Sequence, residues 1–174
     1  LIISLWRGSI RFPTSMLFAL AFLPMFGIGG LTGLALGLAA SDIPLHDTYY
    51  VIGHFHYVVA PGTLFALFAG VYHWFPKATG RRMSETLGKL HFWPSLVFIN
   101  GVLVPMFIQG LAGVSHRLYD GGAAYEFAKP VLHWNVFMSV SAWGLALAQI
   151  PFIINFFPSI RKGEKVGDNP WEAT

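Results

Sequence analysis

Thr48 to Pro76, TYYVIGHFHYVVAPGTLFALFAGVYHWFP, runs for 29 residues without Asp, Glu, Lys or Arg, yet carries three histidines. A helix needs roughly 20 predominantly apolar residues to cross the hydrocarbon core of a bilayer, so this stretch is long enough to span one. Three further windows have the same character: Phe12 to Ser41, Leu90 to His116 and Pro130 to Ile160. Every charged side chain lies outside the four. An open sheet would leave its edge groups unpaired in lipid, and a barrel would show short alternating segments. The expected fold is therefore an all-α integral membrane segment with four transmembrane helices, at about 14–40, 48–76, 90–113 and 131–158.

Composition agrees. Of 174 residues, 55% are hydrophobic and 11% charged, against roughly 25% charged in soluble domains, which excludes a free-standing soluble protein. The mean hydropathy is +0.57. The lack of cysteine excludes disulfides and thiolate metal sites. Nine basic residues (Arg7, Arg11, Lys77, Arg81, Arg82, Lys89, Arg161, Lys162 and Lys165) fall at the termini and in the middle loop, against Arg117 and Lys129 at the opposite end. Cytoplasmic loops carry the excess of Lys and Arg, so both termini are expected in the cytoplasm and the loops Asp42 to Asp47 and Arg117 to Lys129 outside. Gly29, Gly33 and Gly37 recur every four residues and predict a face for close helix packing. Pro24, Pro61, Pro105 and Pro151 fall inside spans, where each removes a backbone donor. No domain boundary or internal repeat is visible.

Histidine is the chemistry-bearing residue, because ionisable groups at membrane depth are costly and mark function. His54 and His56 flank Phe55. Two residues along a helix are about 200° apart, so the two imidazoles point to nearly opposite sides and cannot chelate one ion. They can serve two centres on the order of 10 to 15 Å apart, an arrangement suited to haems, whose iron takes an axial imidazole. A zinc site would need three or four convergent ligands. The plainer alternative is that both bond carbonyls or face a water-filled cavity. His46 and Asp47 precede the second span as a divalent-cation pair, although Asp47 or Thr48 in the role of helix cap accounts for them equally well.

Together these residues resemble subunit I of the haem-copper respiratory oxidases, in the cytochrome c oxidase branch. The likeness is carried by Gly29-Gly30-Leu31-Thr32-Gly33, Asp42-Ile43-Pro44-Leu45-His46-Asp47-Thr48-Tyr49-Tyr50, His54-Phe55-His56-Tyr57-Val58, His73-Trp74-Phe75-Pro76 and the tail Asp168-Asn169-Pro170-Trp171-Glu172-Ala173-Thr174. The resemblance implies a proton-pumping terminal oxidase that reduces oxygen to water with electrons from cytochrome c. It implies His54 on the iron of a high-spin haem, His56 on that of a low-spin haem, both of A type, and Phe55 between them. His46 and Asp47 match a Mg or Mn site, and Asp42, His116 and Arg117 match the haem-propionate region. The implied partners are the remainder of subunit I, subunits II and III, cytochrome c, oxygen and the lipid bilayer, with no nucleic acid. The implied location is a bacterial inner membrane.

Two positions depart from the family pattern: His116 stands where a second Arg is expected, and Pro61 follows His56 by five residues. The family's subunit has twelve spans and this chain resembles the last four, so it is expected to be a piece of that subunit. Copper would be ligated elsewhere, since His91 and His133 sit apart near span starts and are expected, with His73, to be interfacial or packing residues. A haem-free multi-pass transporter or scaffold, and a membrane cytochrome without oxygen chemistry, are the competing functions.

Overall fold

In a computed structural model, which describes residues 2–8, 10–167 and 169–171, the charge-free windows fold as long helices. A short helix α1 (Ile2–Leu5) leads to α2 (Thr14–Gly37), which ends where Gly37 and the extended backbone of Leu38 break the helix. Glycine weakens a helix through the backbone entropy it loses. The expected first span, 14–40, is thus divided between α2 and a separate short helix, α3 (Ala39–Leu45).

The histidine-bearing stretch becomes α4 (Tyr49–Thr79), opened by Thr48, whose hydroxyl accepts from the Tyr50 N–H. It closes on Gly80 at φ 65°, a left-handed cap that glycine adopts without a Cβ penalty. At 31 residues it is about 46 Å long, more than the roughly 30 Å hydrocarbon core, so at least one end projects into the interface. Strand β1 (Arg81–Arg82) follows, then α5 (Glu85–Leu111). This helix begins five residues before the expected 90 because Ser84 caps it, and its charged first turn precedes the apolar run. The Glu85 carboxylate accepts from both the N–H and the hydroxyl of Thr14 at 2.8 Å, tying the starts of α2 and α5 together.

The fourth apolar stretch is also long and apolar enough to span, but it carries an interruption. After a 3-10 turn (Lys129–Val131) it forms α6 (His133–Ala148) and α7 (Ile150–Lys162), parted at Gln149. Pro151 lies in the first turn of α7, where its missing N–H costs least and its ring cannot extend the preceding helix. Pro24, Pro61 and Pro105 instead lie within uninterrupted helices.

Helix α2 packs on α4 and α4 on α5, while α5 also meets α2, α6 and α7. Phe18 is wholly buried at the centre of a ring cluster with Phe65, Phe68, Tyr72, His91 and Phe92, centroids 5.0 to 5.9 Å away. Many large apolar side chains, Leu34 and Trp143 among them, face outward. After α7, strand β2 (Glu164–Lys165) pairs antiparallel with β1, and Trp171 stacks on His73 at 5.2 Å. Asp168 and Glu172 to Thr174 of the tail motif lie outside the described residues. In the loop at the opposite end, the Asp120 carboxylate accepts from the N–H groups of Gly122 and Ala124, which holds it below its ordinary pKa. What this adds to the loop is present above the ordinary value and fades as pH falls through the lowered one.

Candidate functional site

His54 and His56 occupy opposite sides of α4, and each is fixed by its ring Nδ1. That of His54 lies 2.8 Å from the Gly29 carbonyl on α2, with Thr32 Oγ1 at 3.3 Å. That of His56 lies 2.8 Å from the Ile52 carbonyl, one turn back on its own helix. A carbonyl only accepts, so in both rings Nδ1 carries the proton and Nε2 is the nitrogen with the lone pair. A ligand histidine in a metal protein is typically oriented by such a bond from its other ring nitrogen. The Thr32 hydroxyl donates to the carbonyls of Ile28 and Gly29 at 2.9 Å, which leaves its oxygen to face His54. Phe55, between the two, is exposed, its ring 4.3 Å from that of His56.

The glycine stripe explains how α2 comes so near. A Cβ on Gly33 would stand 2.7 Å from His54 Cε1, and one on Gly29 would stand 2.8 Å from Val58 Cγ2. Gly37 has nothing within 4 Å, so only two of the three expected positions serve this contact. On the other side of α4 the Tyr57 hydroxyl donates to Asn100 Oδ1 on α5 at 2.7 Å, and its ring stacks on Phe107. Gly110 of α5 lies directly against the backbone of Tyr50. The histidine helix is therefore held in rotation from both flanks.

At the start of α4 the chain doubles against the exit of α5. The Tyr49 N–H donates to the Val114 carbonyl, and the His116 N–H and Nδ1 both reach the Asp47 carbonyl, at 3.1 and 2.7 Å. His46 Nε2 lies 3.5 Å from one Asp47 carboxylate oxygen, and His116 Nε2 lies 4.0 Å from the other. Thr48 is the helix cap, so the Asp47 carboxylate is free of that task. Asp47 and Arg117 both have left-handed backbones, φ 57° and 67°. Such strain in non-glycine residues, on the order of 1–3 kcal/mol each, persists where surrounding structure imposes it and gathers at functional sites. His46, Asp47, His116 and Arg117 thus meet in one place, with Asp42 half-buried on α3 nearby in sequence. Among the described residues no three His, Asp or Glu side chains converge as a metal cluster.

The other histidines divide. His133 is exposed at the start of α6, and His73 carries Trp171. His91 is a packing residue, wholly buried on α5. The Gln149 amide nitrogen donates to the Leu145 carbonyl, which turns its oxygen toward His91 Nε2 at 3.0 Å. That nitrogen therefore donates, and Nδ1 accepts from the Tyr72 hydroxyl at 3.2 Å. Ser95 completes the group, donating to the His91 carbonyl and accepting from Gln149. Sequence inspection missed Thr32, Asn100 and Gln149 as partners. Thr32 alone carried a signal, from its place in the Gly29 to Gly33 run.

Residues 1–147 match the family model described as Cytochrome C and Quinol oxidase polypeptide I. The chain belongs to that family. It is similar to cytochrome c oxidase subunit 1 of Synechocystis sp., 49% identical over 98% of this chain and 30% of the relative. It is also similar to the alternative cytochrome c oxidase subunit 1 of Bradyrhizobium diazoefficiens, 41% identical over 99% and 29%. The chain thus spans about 30% of the length of the curated oxidase relatives it matches. In fold it is like a haem-copper terminal oxidase dimer solved by cryo-EM, with a TM-score of 0.74 at 21% identity, over 88% of this chain and 28% of that one. Membership of the oxidase family gives the four long apolar helices their place in a membrane protein.

Proposed function

We propose that this chain is the haem-hanging part of the catalytic subunit of a proton-pumping terminal oxidase that passes electrons from cytochrome c to oxygen, forming water. The observation that carries the proposal is the pair of imidazoles on opposite sides of α4, each with Nδ1 tied to a carbonyl and Nε2 left with its lone pair. His54 is assigned to the iron of the high-spin haem and His56 to that of the low-spin haem, with haem A in both places. The residues present suit this: the donor atoms are neutral imidazole nitrogens, and glycine at 33 leaves room for the His54 ring to lie against α2. When bound, the haems supply electron transfer and the iron at which oxygen is reduced. The chain fixes tautomer and ring direction, places Phe55 between the haem positions, and sets Asp42, His116 and Arg117 toward the propionates. Copper in the complete subunit is ligated outside this segment.

The remaining assignments follow from the same placement. The basic end of the bundle, with both termini, is assigned to the cytoplasmic side of a bacterial plasma membrane, a reading that the excess of Lys and Arg there supports. The rest of subunit I covers the outward apolar faces, and subunits II and III complete the assembly. A reduced-minus-oxidised spectrum of the full-length protein tests the proposal, with two haem contributions and oxygen consumption expected. Haem bands without oxygen uptake would mean a membrane cytochrome, and their absence would mean a transporter or scaffold.

His46 and Asp47 are assigned as two ligands of a Mg or Mn ion, the rest coming from water or another subunit. Asp47→Ala in the complete oxidase should weaken bound manganese by at least an order of magnitude, while leaving both haems in place. Loss of a charged ligand from a hard-cation site removes its main attraction. Electron paramagnetic resonance of manganese-loaded enzyme reads this directly. An unchanged spectrum would reduce the carboxylate to a partner of the His116 loop.

A further inference from the structure

A pocket of about 360 Å³ opens where α5 and α7 meet the strand pair, at the basic end of the bundle. Its volume falls in the roughly 300–1,000 Å³ range of ligand sites. Arg82 and Lys162 line it, with Glu164 as the single acid, so its net charge is positive. Leu87, Ile154 and Pro158 line it as well, which gives one cavity both cationic and hydrocarbon-compatible walls. The Arg82 guanidinium is only partly used: Nη2 donates to the Pro170 carbonyl, while Nε is buried without a partner among the described residues. The Lys162 ammonium has no ion pair or hydrogen bond among them. Asn155 is already committed, bridging the N–H and the carbonyl of Ser84 at 2.8 Å, so it frames the pocket rather than supplying a donor.

We propose that this pocket binds the phosphodiester of an anionic phospholipid of the cytoplasmic leaflet, with Arg82 and Lys162 on the phosphate and an acyl chain along Leu87, Ile154 and Pro158. Basic pockets between membrane helices on that side suit such headgroups. A free phosphate shares the anionic chemistry but has no use for the apolar wall. The proposal relies on the orientation set by the basic residues and not on the haem assignment.

The test uses the complete oxidase in vesicles of phosphatidylcholine doped with a phosphatidylglycerol bearing a photoreactive acyl chain, crosslinks being mapped by mass spectrometry. Wild type should crosslink at Leu87, Ile154 or Pro158. Lys162→Gln should lower that yield about fivefold, the order expected per basic residue at an anionic surface. Arg82→Gln should do the same, and the double variant about 25-fold if the two act independently. Since Arg82 also holds the tail, Lys162→Gln is the deciding variant. Haem spectra should be unchanged in all three, which separates this outcome from failure of the haem assignment. Equal crosslinking by the variants, or by a phosphatidylcholine carrying the same chain, would overturn the proposal. So would competition by inorganic phosphate at concentrations matching those of the lipid.

Discussion

In the complete oxidase, His56→Ala should abolish the low-spin haem signal while sparing the high-spin one, and His54→Ala should do the reverse. Both imidazoles are half-buried, present Nε2 and lie about 200° apart around α4, so removing one leaves the other ring and its carbonyl tether untouched. Truncation opens no fully buried core site. The wholly buried neighbour Tyr57 keeps its bond to Asn100 on α5, which holds the helix in rotation. Loss of an axial ligand should therefore appear as near-complete loss of one haem band rather than partial loss of both. Reduced-minus-oxidised spectra with and without carbon monoxide separate the two, since only a high-spin iron offers an open position. Equal loss of both signals from either variant, with the protein still folded, would refute the assignment.

What was legible in the sequence was whatever depends on composition and on local helical geometry. Four apolar windows needed only a count of charges, and the opposition of His54 and His56 needed only 3.6 residues per turn. Contacts between distant segments left no such trace. His116 and Asp47 are 69 residues apart, and nothing in either neighbourhood announces that one carbonyl takes both His116 donors. His91 looked like any histidine near a span start. It is buried among the rings of Phe18, Phe68 and Phe152, and its Nε2 is answered by Gln149, which stands at the break between α6 and α7 that Pro151 imposes. That break was visible only as a proline within an apolar run, a feature that Pro24, Pro61 and Pro105 share without interrupting their helices. The glycine stripe shows the limit most plainly: a four-residue period places Gly29, Gly33 and Gly37 on one face, but only the partner helix decides which of them is crowded.

That distinction yields the second large effect, Gly33→Ala against Gly30→Ala. Both positions lie inside α2, where replacing glycine by alanine favours the helix by about 0.8–1.0 kcal/mol. Gly30 has nothing within 4 Å of the new methyl group, so its variant should be neutral or slightly stabilised, with unchanged haem spectra. At Gly33 the methyl would stand 2.7 Å from His54 Cε1, well inside contact distance. The ring cannot yield freely, because its Nδ1 is bonded to the Gly29 carbonyl one turn away on the same helix. Overpacking of this kind costs typically 1–3 kcal/mol, which exceeds the propensity gain, and relief comes by pushing the imidazole off its tether or by parting α2 from α4. Either movement displaces Nε2, and a 1 Å misplacement can cost about 10²-fold in rate. Gly33→Ala should thus lower oxygen turnover by one to two orders of magnitude and shift or weaken the high-spin band, while the low-spin band, assigned to His56, whose ring is tied to α4 itself, should stay intact. If Gly33→Ala kept full turnover and an unaltered high-spin spectrum, α2 would not be what aims His54.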